Sequence, residues 1–180
     1  MACGHLQDNV ELWDDTASYE ARNVLLLNTG HGKFVDVSSV SGDGMAVKRS
    51  SRGVAFDDLD NDGKIDVVIL NARQVPTILR NESKGQNHWL GVALQGKRSN
   101  RDGIGAQIKV VAGDLTLVDE VHSGRGYQSH FGSHPHFGLG DRTKIDRVEV
   151  RWLGGGIDVI NEVKIDREIK IIQGSSPGRP

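Results

Sequence analysis

Arg147-Val148-Glu149-Val150-Arg151-Trp152 places an apolar side chain at every second position and a charged one between. Successive side chains of an extended chain point to opposite faces, so this run makes a strand with one face in a core and one in water. The same period, in short runs bounded by Gly, Asn, Asp or Pro, marks residues 24–27, 34–37, 53–56, 66–70, 77–79, 90–94, 107–111, 115–121 and 169–172. With the opening run that makes ten expected strands. No window of eleven or more residues holds an amphipathic helical pattern, and glycine interrupts too often to allow one. Thr29-Gly30-His31-Gly32, Gly42-Asp43-Gly44 and Ala112-Gly113-Asp114 supply turn residues tolerant of positive φ between strands. The expected fold class is all-β.

The chain has 180 residues, 37% of them hydrophobic, which is room for one large domain or two small ones. Near residue 84 the texture changes from short strands with acidic, Asn-rich loops to longer strands with glycine-rich loops. The expected organisation is one region over 1–83, a second over 84–174 and a disordered tail over 175–180. The 22 basic and 24 acidic residues leave a net charge of -2, which removes the electrostatic drive for nucleic-acid or anionic-membrane binding. A single cysteine, Cys3, excludes an intrachain disulfide and a cysteine-based zinc cage. The longest apolar runs, Val24 to Leu27 and Val67 to Leu70, are far too short to span a bilayer. The first ten residues show neither the basic nor the apolar region of a signal peptide.

The sharpest chemistry lies in Asp58-Leu59-Asp60-Asn61-Asp62-Gly63-Lys64-Ile65-Asp66, with carboxylates at positions 1, 3, 5 and 9 and glycine at 6. Alternate carboxylates in a tight turn converge on one point, and a hard cation such as Ca²⁺ prefers six to eight oxygen ligands. Without a cation these like charges repel one another. An EF-hand would need a helix on either side and a glutamate at position 12, where this chain has Ile69 in an expected strand. A strand-loop-strand calcium site is expected instead; a merely solvated acidic turn would not need the full spacing or the glycine.

Val54 to Asp58 and Asp66 to Ile69, with Asn28-Thr29-Gly30-His31-Gly32-Lys33-Phe34 upstream, resemble the FG-GAP or VCBS repeat that builds blades of integrin-type β-propellers. The resemblance implies Asp58, Asp60, Asp62 and Asp66 as side-chain Ca²⁺ ligands and Lys64 as a backbone carbonyl ligand. Propellers close with four or more blades, so the expectation is a C-terminal piece of a larger propeller protein, or a reduced form that buries its edges differently. From Asn87 onward the chain resembles the ASPIC and UnbV domain, which follows such repeats in many bacterial secreted proteins. Four motifs carry this in order: Ser99 to Ala106, Ser123 to Ser129, His136-Phe137-Gly138-Leu139-Gly140, and Val148 to Trp152. That family usually continues Trp-Pro-Ser-Gly, where this chain has Trp152-Leu153-Gly154-Gly155. The resemblance implies partial propeller blades with a calcium loop packed against a β-sandwich-like domain. It also implies a secreted or periplasmic setting and calcium-dependent adhesion, or binding of a protein or carbohydrate ligand.

The glycines of Asp102-Gly103-Ile104-Gly105 and Gly124-Arg125-Gly126 are spaced like phosphate cradles, but no helix follows either, so they read as turns and bulges. Histidine offers the rival chemistry. His122, His130, His134 and His136 fall within fifteen positions, and His134-Pro135-His136 sets two imidazoles on one side of an extended segment. Such a group suits Zn²⁺ or a related transition metal. The family pattern covers His136 alone. The alternative function is therefore a metal-dependent hydrolase of small esters or lactones, with His136, His134 or His122 as base and Asp102, Asp119 and Glu120 as spare carboxylates. A serine route through Gly174-Ser175-Ser176-Pro177-Gly178 lacks the strand-to-helix turn of a nucleophile elbow. Asn81-Glu82-Ser83 is a glycosylation sequon, and open strand edges favour self-association.

Overall fold

The computed structural model describes residues 1–176. Among them are fourteen strands, three short 3-10 turns and no α-helix. The strands are β1 (Ala21–Arg22), β2 (Leu26–Gly30), β3 (Lys33–Asp36), β4 (Lys48–Arg49), β5 (Ser51–Asp57), β6 (Asp66–Asn71) and β7 (Thr77–Leu79). They continue as β8 (His88–Gln95), β9 (Gln107–Ala112), β10 (Leu115–Glu120), β11 (His136–Gly140), β12 (Ile145–Arg151), β13 (Ile157–Val163) and β14 (Arg167–Ile172). Each of the ten runs marked by the two-residue period overlaps a strand, although of 24–27 only Leu26 and Leu27 lie in one. Two longer strands escaped that reading. In β11 glycine stands where a polar side chain would mark the alternation, and in β13 the apolar run is broken by Asp158 and by Glu162 at φ 54°.

The residues form two compact units, and the chain passes between them more than once. One unit holds Met1–Phe56, Asp66–Asn81 and Gly126–His130; the other holds Asp57–Ile65, Glu82–Arg125 and the chain from Phe131 onward.

The second unit is a β-sandwich. One sheet has the order β10-β9-β12-β13, antiparallel throughout; the other has the order β11-β8-β14, with β14 parallel to β8. Ile108 and Val110 of β9 lie opposite Val150 and Val148 of β12, so the alternation read in β12 meets its match across the ladder. These side chains are buried in one core with Leu90, Val92, Leu94, Phe137, Leu139 and Ile171 from the other sheet. Each such burial stabilises the fold by about 1.5–3 kcal/mol. After β12 the chain turns through Gly154, Gly155 and Gly156, all at positive φ, which is where it departs from the usual Trp-Pro-Ser-Gly. The turn closes with the Trp152 N–H donating to the Gly156 carbonyl at 3.1 Å. Asp158 accepts the Trp152 indole N–H and the Gly174 and Ser176 N–H groups, each at 2.7 Å. Of the tail expected to be disordered, Ser175 and Ser176 are thus in a hydrogen-bonded stretch, and residues 177–180 lie outside the described residues.

The first unit carries three small sheets, β1-β4, β2-β3 and β5-β6-β7. Its buried apolar residues are few: Val10, Met45 and Ile69. Gly126–His130 lies in this unit against β5, where a Cβ on Gly53 would stand 2.6 Å from the Gln128 carbonyl oxygen.

Candidate metal centre

β5 runs into the acidic loop and β6 leaves it. The bend is made at Asn61, φ 59°, and Gly63, φ 86°, conformations that glycine adopts freely and asparagine tolerates. Inside the bend, the Asp62 and Gly63 N–H groups donate to Asp58 Oδ1 and Oδ2 at 3.1 and 2.8 Å. Asp58, Asp60 and Asp66, all within one nine-residue segment, bring carboxylate oxygens within 4.8 Å of one another. Asp66 is 3% exposed and accepts the Asn81 N–H at 2.7 Å. An all-oxygen, anionic donor set fits a hard divalent cation, whose charge offsets the repulsion among the carboxylates.

Asp62 and Lys64 pair with each other. The Asp62 carboxylate accepts the Lys64 N–H at 2.9 Å and pairs with the Lys64 ammonium at 2.8 Å. Asp57 accepts the Asp58 N–H at 2.9 Å.

Two aromatic residues back the loop. The Trp89 indole stacks on the His136 imidazole, with ring centres 5.1 Å apart and planes 10° from parallel. A Cβ on Gly63 would lie 2.1 Å from Trp89 Nε1, so the indole edge rests directly on the Gly63 backbone. Burial pushes the pKa of His136 below the ordinary histidine value, while the carboxylates of Asp58 and Asp57 and a backbone hydrogen bond with Gly63 oppose the shift. Sequence reasoning missed Trp89. Its local signal was an aromatic residue opening a strand at Asn87-His88-Trp89, with nothing to connect it to residue 63.

The family model for the FG-GAP-like repeat matches residues 13–69, a span that contains the acidic loop, and the ASPIC and UnbV model matches residues 96–178. The chain carries an FG-GAP-like repeat followed by an ASPIC and UnbV domain. This pair of domains supports an extracellular-type β module, and the strands β5, β6 and β7 are in keeping with part of a propeller blade. No curated protein matches the chain. Among the described residues no helix is long and apolar enough to cross a membrane.

Within the ASPIC and UnbV domain the histidines take different partners. His122 Nε2 stands 3.9 Å from Asp119, and His134 Nδ1 lies 3.1 Å from Glu168. His136 faces Trp89 and the loop, and His130 belongs to the other unit with Gly126–His130. Among the described residues the one group of three or more ligand side chains close enough to share an ion is Asp58, Asp60 and Asp66, with no histidine in it. The two glycine-rich segments are turns. Gly103 and Gly105 have φ 68° and 81°, and Asn100 bridges the first by bonding both the N–H and the carbonyl of Ile104 at 2.8 Å.

Proposed function

We propose that this chain is a Ca²⁺-binding module of the extracellular type that holds a protein or carbohydrate ligand rather than turning over a substrate. The convergence of Asp58, Asp60 and Asp66 in a loop matched by the FG-GAP-like repeat carries this reading. Asp62 and the Lys64 carbonyl complete the ligand set in the proposal. The ion supplies charge neutralisation, and its protein ligands then fix the loop between β5 and β6. A secreted or periplasmic setting suits such a site, since extracellular calcium modules work at dissociation constants of roughly 10⁻⁴–10⁻³ M. A polypeptide partner is supported by β2 and β3, which expose Leu27, Phe34 and Val35 by 55%, 59% and 51%.

Thermal unfolding in EDTA and in excess Ca²⁺ tests the reading, alongside assays on generic esters and lactones. Ca²⁺ at a hundredfold over its dissociation constant adds about 2.7 kcal/mol, and Asp60→Asn abolishes that gain. An unchanged melting curve together with no heat in a Ca²⁺ titration overturns the calcium reading. Hydrolysis that disappears in a folded His136→Ala variant would instead establish the hydrolase.

A further inference from the structure

We propose that Trp89 is a positioning residue for the acidic loop, holding the Gly63 turn in its cation-binding shape from beneath. The inference rests on the calcium reading above and extends it to a residue outside both matched spans, 13–69 and 96–178.

A chain of contacts within the second unit holds the indole in place. Asp166, in the left-handed region at φ 57°, accepts the Trp89 N–H at 3.2 Å and donates its own N–H to the Trp89 carbonyl at 2.8 Å. Its carboxylate also takes His88 Nδ1 at 2.8 Å. The backbone of Trp89 is therefore fixed from both sides before the indole makes any contact. His136, the first residue of β11, covers one face of the indole by parallel stacking, an arrangement worth about 0.5–1.5 kcal/mol beyond the area it buries. The indole edge, so held, meets the Gly63 backbone where no side chain fits. Gly63 in turn sends its N–H to Asp58 Oδ2 at 2.8 Å, and Asp62 sends its N–H to Oδ1. A displaced Gly63 would release both donors and free the Asp58 carboxylate to rotate away from Asp60 and Asp66.

Such support matters most when no ion is bound. Three carboxylates within 4.8 Å repel and tend to open the loop, so a rigid base beneath Gly63 lowers the ordering cost that Ca²⁺ would otherwise bear on binding. Gly63 is then required twice: φ 86° excludes most side chains, and the indole excludes a Cβ.

Amide hydrogen exchange of the full chain in EDTA gives a readout that needs no metal, and calorimetric Ca²⁺ titration gives the affinity. Trp89→Ala should speed exchange at the Asp62 and Gly63 amides and weaken Ca²⁺ binding by about tenfold or more, the usual scale for losing outer support of a metal ligand. Trp89→Phe, which keeps a stacking ring, should restore most of both. Trp89→Leu, which keeps apolar bulk but removes the indole edge at Gly63, should shift both readouts in the same direction and decides the matter where Trp89→Ala does not fold. Wild-type exchange at these amides in the folded variants overturns the proposal. A wild-type chain that takes up no Ca²⁺ overturns the calcium reading alone, because the exchange measurement still reports whether Trp89 holds the turn.

Discussion

Asp158 is 1% exposed and carries a carboxylate into the sandwich interior, a placement that costs several kcal/mol unless donors surround it. Three donors do: the Trp152 indole and the Gly174 and Ser176 amides. One side chain thus ties the end of β12, the start of β13 and the chain after β14. Asp158→Ala strands all three donors and should lower stability by about 3 kcal/mol or more, read as a drop in the urea midpoint. Asp158→Asn, which keeps an acceptor oxygen, should cost less. Gln173 acts similarly, its Oε1 receiving the N–H groups of Lys97, Arg98 and Ser99 at 2.9, 2.7 and 3.0 Å. Neither role was legible beforehand. An acidic residue among Ile157, Val159 and Ile160 reads as a break in an apolar pattern, because the donors that satisfy it lie 6, 16 and 18 positions away. The carboxylates of the acidic loop were legible as candidates because their spacing is a local property.

At the level of strands, position in the sheet decides what a residue is worth. β8 is the central strand of its sheet, and Leu90 through Leu94 are buried without interruption, as expected for a strand covered on both faces. β10 lies at the edge of the four-stranded sheet, and Val118 on it is 65% exposed. Leu90→Ala should therefore cost about 2–5 kcal/mol, while Val118→Ala should stay within about 0.5 kcal/mol; chemical denaturation of the two variants checks the contrast. Both residues sit in runs that the two-residue period marked, and that period does not tell a central strand from an edge. β11 and β13 went unread for the opposite reason, since glycine and a satisfied buried aspartate blur the alternation without weakening the strand.

For the whole molecule, the two units differ in how much apolar surface they hide. The sandwich has a continuous core. In the first unit β2 and β3 are exposed along their full length. Leu27 faces Val35 across the hairpin and Asn28 faces Phe34, so both sides of the ribbon present large apolar groups. Paired strands of this kind invite another chain. The expected outcome is weak self-association, reduced when Leu27 and Val35 are both changed to lysine, with the melting temperature little altered; sedimentation velocity over a concentration series measures it. The all-β class, the turns and the acidic loop were fixed by local information, because strand period, turn chemistry and carboxylate spacing are each set by neighbours along the chain. The seat of Gly63 on Trp89, the separate partners of the histidines and the passage of Gly126–His130 into the first unit needed the tertiary structure. Those contacts join residues far apart in sequence, and only the order and pairing of strands determines which of them meet.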